Sequence, residues 1–149
     1  MKPGIDYPAI SVCFLCYDGN GNFVLSFRNE NCRDERNKWD NGGGKLEFGD
    51  TIEATLKQEI KQEYCADILE QEFLGYRDAI REEEGVRKHW VTLDFLVLVD
   101  PSQIGNGEPE KFNEVRWFKP NELPREIHSQ TPKFLEKYKE VLDKHGLHF

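Results

Sequence analysis

Three glycines and two carboxylates are the residues of this sequence whose types and spacing could do chemistry. Residues 42–44 are all glycine, and Glu59 and Glu63 follow them, four positions apart. Glycines let a backbone approach an ion or a phosphate closely, and a carbonyl of such a loop can itself be a ligand. Mg²⁺ prefers carboxylate and carbonyl oxygens and completes its octahedron with water and substrate phosphate. The combination is typical of a Mg²⁺-dependent site that cleaves a diphosphate.

The two carboxylates are expected on the apolar face of one helix. At about 100° per residue, Ile52, Leu56 and Ile60 form one stripe, and Glu59 and Glu63 lie within or beside it. An unpaired buried charge costs several kcal/mol, so a cationic group should lie against these carboxylates. A metal ion would meet this need. Pairing with Lys or Arg would meet it equally, and the glycines would then only form a turn.

The elements that must position these residues follow from short apolar runs separated by turn signals. Asp50 or Thr51 can cap the helix that carries the carboxylates, and no Gly or Pro interrupts it. The polar residues 28–41 are predicted to form a loop. The predicted strands are residues 9–17, 22–27, 72–81, 88–99 and 115–118, and the predicted helices are residues 51–64 and 132–145.

Residues 44–66 resemble the signature of the Nudix hydrolases. That signature is Gly, five residues, Glu, seven residues, Arg-Glu, an aliphatic residue, any residue, Glu-Glu, any residue, Gly and an aliphatic residue. Gly44, Glu59, Ile60 and Glu63 match it with the spacing intact, and Asp50 stands at the first acidic position. The resemblance implies an α/β fold, a Nudix-like α/β/α sandwich whose mixed sheet lies between the helix at residues 51–64 and a carboxy-terminal helix.

Four positions depart from this signature. They are Asp50 in place of Glu, Gln58 in place of Arg, Gln62 in place of the first Glu of the pair, and Cys65 in place of Gly. Gln62 keeps a carbonyl oxygen but removes a negative charge, which predicts fewer or weaker metal ions. Gln58 removes a charge-assisted clamp on a neighbouring carboxylate. Cys65 is expected to affect how the helix ends.

The resemblance implies Mg²⁺-dependent hydrolysis, with Mn²⁺ as a substitute, of a nucleoside diphosphate-linked substrate. A nucleoside triphosphate cleaved to its monophosphate and pyrophosphate is the preferred substrate, and a nucleotide sugar or ADP-ribose is the alternative. A third reading comes from a different class of protein. In that reading the chain is a non-catalytic nucleotide-binding or regulatory domain that kept the fold while its metal site decayed, as Gln58 and Gln62 suggest.

The resemblance also assigns roles to single residues. The predicted catalytic residues are Glu59 and Glu63, the predicted metal ligands are Gly44, Glu59, Gln62, Glu63 and Glu110, and the predicted substrate-binding residues are Arg28, Lys45 and Trp39. Glu110 is chosen over Glu108 and Glu114 as the acid of a downstream loop. Arg28 and Lys45 could each hold a phosphate or be a surface cation. Trp39 could stack on a base or anchor its loop in the core.

Composition sets the wider limits. The chain has 149 residues, 38% of them hydrophobic, which predicts one domain over residues 1–149. Its formal net charge of -8 argues against binding to nucleic acid polymers or anionic membranes, but not against nucleotides. No apolar signal core or membrane span is apparent, so we expect a cytoplasmic protein. The four cysteines form no framework, and a homodimer is implied only by the resemblance.

Overall fold

A seven-stranded mixed sheet forms the centre of the computed structural model, which describes all 149 residues. Two long strands, β1 and β6, lie side by side and run parallel, while the other pairings are antiparallel. The strands are β1 (Ala9–Tyr17), β2 (Phe23–Arg28), β3 (Trp39–Asp40), β4 (Gly43–Lys45), β5 (Glu70–Glu83), β6 (Val86–Leu98) and β7 (Phe112–Phe118). The helices are α1 (Ile52–Tyr64), α2 (Thr131–Lys137) and α3 (Lys139–Lys144). The main path of the sheet runs β3-β2-β1-β6-β5, with β4 paired to β1 and β7 paired to β2.

Both faces of the sheet are covered, which explains why β1 is apolar almost throughout. On one face, Leu56, Ile60 and Tyr64 of α1 pack against alternate residues of β1 and β6. On the other face, Phe134 and Leu142 of the two carboxy-terminal helices pack against the remaining ones. The predicted α/β/α sandwich is therefore confirmed. Ile52 differs from the predicted stripe, because its side chain at the first turn of α1 is 39% exposed.

Most predicted elements are found, with shifted ends. The first strand matches, the second begins one residue later, and the hairpin of β5 and β6 is longer than predicted and turns at residues 84–85. The strand predicted at residues 115–118 begins at Phe112. The helix predicted at residues 132–145 is divided at Tyr138, whose backbone has φ -106 and ψ 19. The hydroxyl of Tyr138 donates to Asp94 Oδ2 at 2.5 Å, so the division lies where the helix is tied to the sheet.

Two very short strands, which the sequence did not predict, bring the glycines to the centre of the sheet. β3 pairs with the end of β2, and β4 pairs with β1 through Gly43 opposite Cys13 and Gly44 opposite Val12. The glycine run predicted as a loop is thus partly a strand. It lies beside α1 because β4 and α1 are joined by only the short turn at residues 46–51.

No helix of the structure is both long and apolar enough to cross a membrane.

Candidate active site

The glycines make room for the carboxylates of α1. A Cβ atom on Gly44 would lie 2.1 Å from Cδ of Glu59, and one on Gly42 would lie 2.8 Å from Oε2 of Glu63. Gly42 also has a φ of +120°, which L side chains rarely adopt. The sequence indicated close backbone approach by an ion or phosphate. The structure shows that the space left by the missing side chains of Gly42 and Gly44 is occupied by Glu63 and Glu59, which lie against the backbone of residues 42–44.

Glu63 is a buried carboxylate without a partner. It is 6% exposed, its Oε2 has no hydrogen bond, and no Lys, Arg or His lies within ion-pairing distance of it. Burial raises its pKa well above the ordinary value, and the nearby charges of Asp40, Glu59 and Glu108 raise the pKa further. An uncompensated buried carboxylate is costly. The pairing of this acid with Lys or Arg, which the sequence left open, is not found.

Two further carboxylates lie near Glu63. Glu59 is half-buried on the preceding turn of α1, and burial followed by the charge of Glu108 raises its pKa. Glu108 lies beyond the sheet on the loop before β7, with its side chain 18% exposed and 3.3 Å from Lys111 Nζ. Glu59, Glu63 and Glu108 line one cavity, so the loop and the helix bring their charges together.

The loop that carries Glu108 is docked onto the last turn of α1. The N–H of Gly105 donates to the Tyr64 carbonyl, and the N–H of Gly107 donates to the Glu63 carbonyl, each at 3.0 Å. A Cβ on Gly107 would lie only 1.9 Å from the carbonyl oxygen of Gln62, so the contact needs glycine. These bonds use carbonyls that a helix end leaves free. They place the next residue, Glu108, beside the cluster.

Glu110, which was predicted from the sequence, lies elsewhere. Its side chain is exposed and lines none of the main cavities, while its backbone carbonyl accepts hydrogen bonds from the side chains of Asn29 and Asn31. Glu108, rather than Glu110, therefore enters the site as described below. The residue of the sequence that could have indicated Glu108 rather than Glu110 is Gly107. A glycine that packs against a helix end fixes the direction of the residue after it.

A polar cavity of roughly 530 Å³ opens over the acids. Its walls combine the acidic cluster with cations from several elements, among them Arg28 at the end of β2, Lys45 at the end of β4 and Lys111. The predicted residues that line it are Gly44, Lys45, Arg28, Glu59, Gln62 and Glu63. Carboxylates and cations that line one cavity are suited to a metal ion and the phosphates that it would bind.

The carboxylate oxygens that line the larger cavity suit a hard divalent cation. Glu63 presents an orphaned oxygen, and Glu59 and Glu108 add charge from two directions. No three acidic, His or Cys side chains are close enough to form a complete cage. Mg²⁺ does not require one, because it is usually held by one or two carboxylates and keeps waters or substrate phosphates as its other ligands.

A second cavity, of roughly 220 Å³, continues from the first on the other side of Arg28. Residues 43–45, Arg28, Arg33 and Asp34 line both cavities, so the two form one cleft. The floor of the second cavity is a buried polar network in which Arg77 donates to Asp94 at 2.8 and 3.1 Å and to Gln130 at 3.2 Å. Sequence reasoning did not identify this part of the cleft, because its residues come from six separate segments.

Trp39 lies outside both cavities. It is 7% exposed and packs in the core against Phe27 and Phe118, with ring centroids 5.2 and 5.0 Å away. The guanidinium of Arg116 lies 5.0 Å from its ring. Of the two roles left open for Trp39, the structure places it as an anchor of β3, and its ring is not available to stack on a base.

Three of the four departures from the signature lie on the exposed side of α1 and at its end. The side chains of Gln58 and Gln62 are exposed, and Gln62 faces the larger cavity. Cys65 ends the helix in the left-handed region with φ 61, and its N–H donates to the Lys61 carbonyl. A residue other than glycine is strained in this conformation. Cys65 thus occupies a position where the signature's glycine has a conformational role.

The protein family follows from a comparison of the amino-acid sequence with models of known families. A family model described as the Nudix domain matches residues 7–138. The chain belongs to the Nudix family. Members of this family are hydrolases of nucleoside diphosphate derivatives and generally use a divalent metal such as Mg²⁺. The match spans all the residues of the acidic cluster and the whole of the cleft's sheet.

Solved Nudix structures share the fold at low sequence identity. A MutT Nudix hydrolase from Burkholderia pseudomallei is 23% identical with a TM-score of 0.78, and the alignment covers 89% of this chain and 98% of that one. A MutT protein from Methanosarcina mazei Go1 is 20% identical with a TM-score of 0.76, covering 92% and 97%. The Nudix domain of Shewanella oneidensis NrtR, solved with ADP ribose, is 13% identical with a TM-score of 0.68, covering 92% and 90%. At these identities the likeness establishes the Nudix fold alone.

Proposed function

We propose that this chain carries out Mg²⁺-dependent hydrolysis of a nucleoside diphosphate-linked substrate, with a nucleoside triphosphate cleaved to its monophosphate and pyrophosphate as the preferred reaction. The observation that carries the proposal is Glu63, whose buried carboxylate has no partner in the chain. It lines a polar cavity to which Arg28, Arg33, Lys45 and Lys111 also contribute their side chains. A divalent cation is the counter-charge that this arrangement requires.

The residues that would hold the cation are Glu59 and Glu63, with the carbonyl of Gly44 as a further donor and Glu108 as a nearby negative charge. Gln62 offers only an amide oxygen, a weaker ligand than the acid that the signature has there. A cation held by these groups would neutralise the charge of the diphosphate and lower the pKa of a bound water.

The other side chains of the larger cavity supply binding and proton transfer. Arg28, Lys45 and Lys111 line the wall and would bind phosphate oxygens. Glu59 is the more exposed of the two helix acids, and we assign it to accept the proton of the attacking water. The water oxygen then forms a bond to phosphorus while the bond from that phosphorus to the bridging oxygen breaks, and the departing group, pyrophosphate or the nucleoside monophosphate, carries away the electron pair.

A substrate panel would test the proposal. Nucleoside triphosphates, dinucleoside polyphosphates, nucleotide sugars and ADP-ribose would be assayed with Mg²⁺ or Mn²⁺ for wild type, Glu63→Gln and the control Glu53→Gln. Glu53 is an exposed acid on the first turn of the same helix. We expect turnover that is abolished by chelator and falls about a hundredfold in Glu63→Gln but not in the control. Tight nucleotide binding without turnover of any panel member would contradict the enzymatic proposal.

Two alternative functions are each supported by a separate observation. Cleavage of a nucleotide sugar or ADP-ribose is supported by the extension of the cleft past Arg28, which leaves space for a second group beyond the diphosphate. A non-catalytic nucleotide-binding domain is supported by Gln58 and Gln62 at positions of the signature that are charged. The panel separates all three, since each predicts a different pattern of turnover and binding.

We also infer that the partner is a small nucleotide rather than a polymer, and that the chain forms a homodimer. The exposed edge of β5 supports the homodimer, because a strand at the end of a sheet offers unpaired backbone groups to a second copy.

A further inference from the structure

We propose that Arg28, Arg81 and Lys88 form a second anion subsite around Asp34, beside the smaller cavity, that its ligand is a phosphate group, and that Asp34 fills it in the free protein. Arg28, Arg81 and Asp34 line the smaller cavity, whereas the acids that serve the reacting diphosphate line only the larger one. The inference rests on the proposed function for the direction in which the substrate lies. It can be tested by anion binding alone.

Asp34 is the point where three cations from three elements converge. Its Oδ1 accepts from Arg28 Nη2 at 3.0 Å, and its Oδ2 accepts from Arg81 Nη2 at 3.0 Å and lies 3.5 Å from Lys88 Nζ. The four side chains are between 15% and 17% exposed. Burial alone would raise the pKa of Asp34, but the charges of Arg81 and Arg28 outweigh it and lower the pKa. The carboxylate is therefore charged and firmly held.

Arg28 also pairs with Asp40 at 3.2 Å, but Arg81 is not satisfied by the carboxylate of Asp34. The Nε and Nη1 groups of Arg81 are buried and have no hydrogen-bond acceptor, and the closest acid, Glu35, lies 4.0 Å from Nη1. Glu35 itself accepts from the Ser129 N–H at 2.7 Å and pairs with Lys38. Buried donors without acceptors are rare in native proteins. Arg81 thus retains hydrogen-bonding capacity that a ligand with more oxygens than a carboxylate could use once Asp34 moves away.

The surrounding wall has the same sign. The smaller cavity is lined by four arginines and one lysine against two aspartates, in a chain whose net charge is -8. Arg77 is neutralised from below by Asp94, but Arg33 has no such partner in the structure. A protein with an excess of acids has thus gathered cations in one cavity. Such a field favours an anionic ligand and would repel a second cation.

The number of charges favours phosphate over carboxylate. A phosphate monoester carries about -1.5 to -2 charge at neutral pH and three acceptor oxygens, against a single charge on a carboxylate. Arg28 lines both cavities, so the second anion would be separated from the diphosphate by only that side chain. The substrate class that fits is a diphosphate compound with an additional phosphate group.

Binding of inorganic phosphate to the full-length protein in the presence of chelator would test the subsite by calorimetry. Asp34→Asn removes the competing carboxylate and should tighten phosphate binding about tenfold. Arg81→Gln and Lys88→Gln, each introduced into Asp34→Asn, should reverse that gain. The control Arg87→Gln changes an exposed cation next to Lys88 and should have no effect. Lys88→Gln in the otherwise unchanged chain should weaken binding, which keeps the test decisive if Asp34→Asn does not fold.

The results that would overturn the proposal are specific. If Asp34→Asn leaves phosphate affinity unchanged or weaker, Asp34 is a structural carboxylate and not the occupant of a ligand site. If Arg81→Gln and Lys88→Gln have no effect, phosphate binds elsewhere in the cleft. If acetate binds as well as phosphate, the assignment to a phosphate group is overturned. Because metal is absent, these outcomes are independent of turnover, and Glu63→Gln should retain the phosphate binding even if no substrate is hydrolysed.

Discussion

Residues of the larger cavity are of two kinds: buried residues whose side chains are fixed by packing, and exposed residues that can be substituted without disturbing the packing. Glu63 is enclosed by Gly42 and the sheet, whereas the preceding residue, Gln62, lines the open cavity. The glutamine therefore does not disturb the packing of α1. It changes only the charge that the cleft presents to a cation.

Restoring the acid at position 62 should strengthen the metal site. Gln62→Glu adds a carboxylate to a cavity that already contains Glu59 and Glu63, so we expect Mn²⁺ or Mg²⁺ to bind about tenfold more tightly. Calorimetry with each metal would measure this, and the substrate panel would show whether turnover rises with affinity. Gln71→Glu, at an exposed position of β5, is the matched control. Equal effects of the two substitutions would show that Gln62 does not contribute to metal binding.

At the scale of elements, the sequence predicts best where periodicity is strong. The buried strand β1 and the helix α1 were predicted almost residue by residue, because burial on both faces and an uninterrupted helical pattern leave clear signals. The short strands β3 and β4 were missed, since two or three residues carry no periodicity and their pairing is decided by distant partners. That Glu108 lines the larger cavity and Glu110 does not was missed for the same reason, because a loop contact with α1 decides it.

The loop between β2 and β3 positions Asp34 and Arg33 and is held by a buried acid. Glu35 has φ 48, and its Oε1 accepts from the Ser129 N–H of the segment before α2. Burial disfavours its charge, but the hydrogen bonds from Ser129 and the charges of His128 and Lys38 outweigh burial and lower its pKa to about 2. A carboxyl with a lowered pKa stabilises the fold above its ordinary pKa and loses that contribution as the pH falls.

Glu35→Gln should therefore reduce both stability and its dependence on pH. The free energy of unfolding should fall by about 1–3 kcal/mol at pH 7. The difference from wild type should shrink between about pH 5 and pH 2, where the folded protein keeps the carboxylate charged and the unfolded chain protonates it. Urea unfolding at several pH values would measure this, with Glu30→Gln of the same loop as an exposed control. Parallel curves for wild type and Glu35→Gln would contradict the assignment.

At the scale of the whole molecule, the sheet ends in a long strand whose outer edge pairs with no other strand. β5 has 14 residues and pairs only with β6. Phe73, Tyr76 and Ile80 on this strand are 57%, 61% and 45% exposed. Monomeric proteins commonly shield such edges with charges, prolines or short strands. The apolar residues of β5 support pairing with a second copy.

We expect the chain to run as a dimer, with a mass near twice 17.5 kDa in light scattering after gel filtration. Ile80→Lys places a charge at the edge and should shift the protein toward the monomer. Leu123→Lys changes an equally apolar residue outside the sheet, which is 39% exposed, and should leave the mass unchanged. A wild-type mass of one chain at all concentrations would exclude the homodimer.

The two backbone bonds between the loop at residues 105–107 and the end of α1 have a consequence for how this chain could vary. They use the carbonyls of Glu63 and Tyr64. The position of Glu108 is therefore fixed by contacts with the helix and not by the strand before the loop. Insertions or deletions at residues 100–104 would alter the path to the loop without altering the distance between Glu108 and the acids of α1. The length of this connection can drift during evolution while the spacing of the carboxylates is preserved.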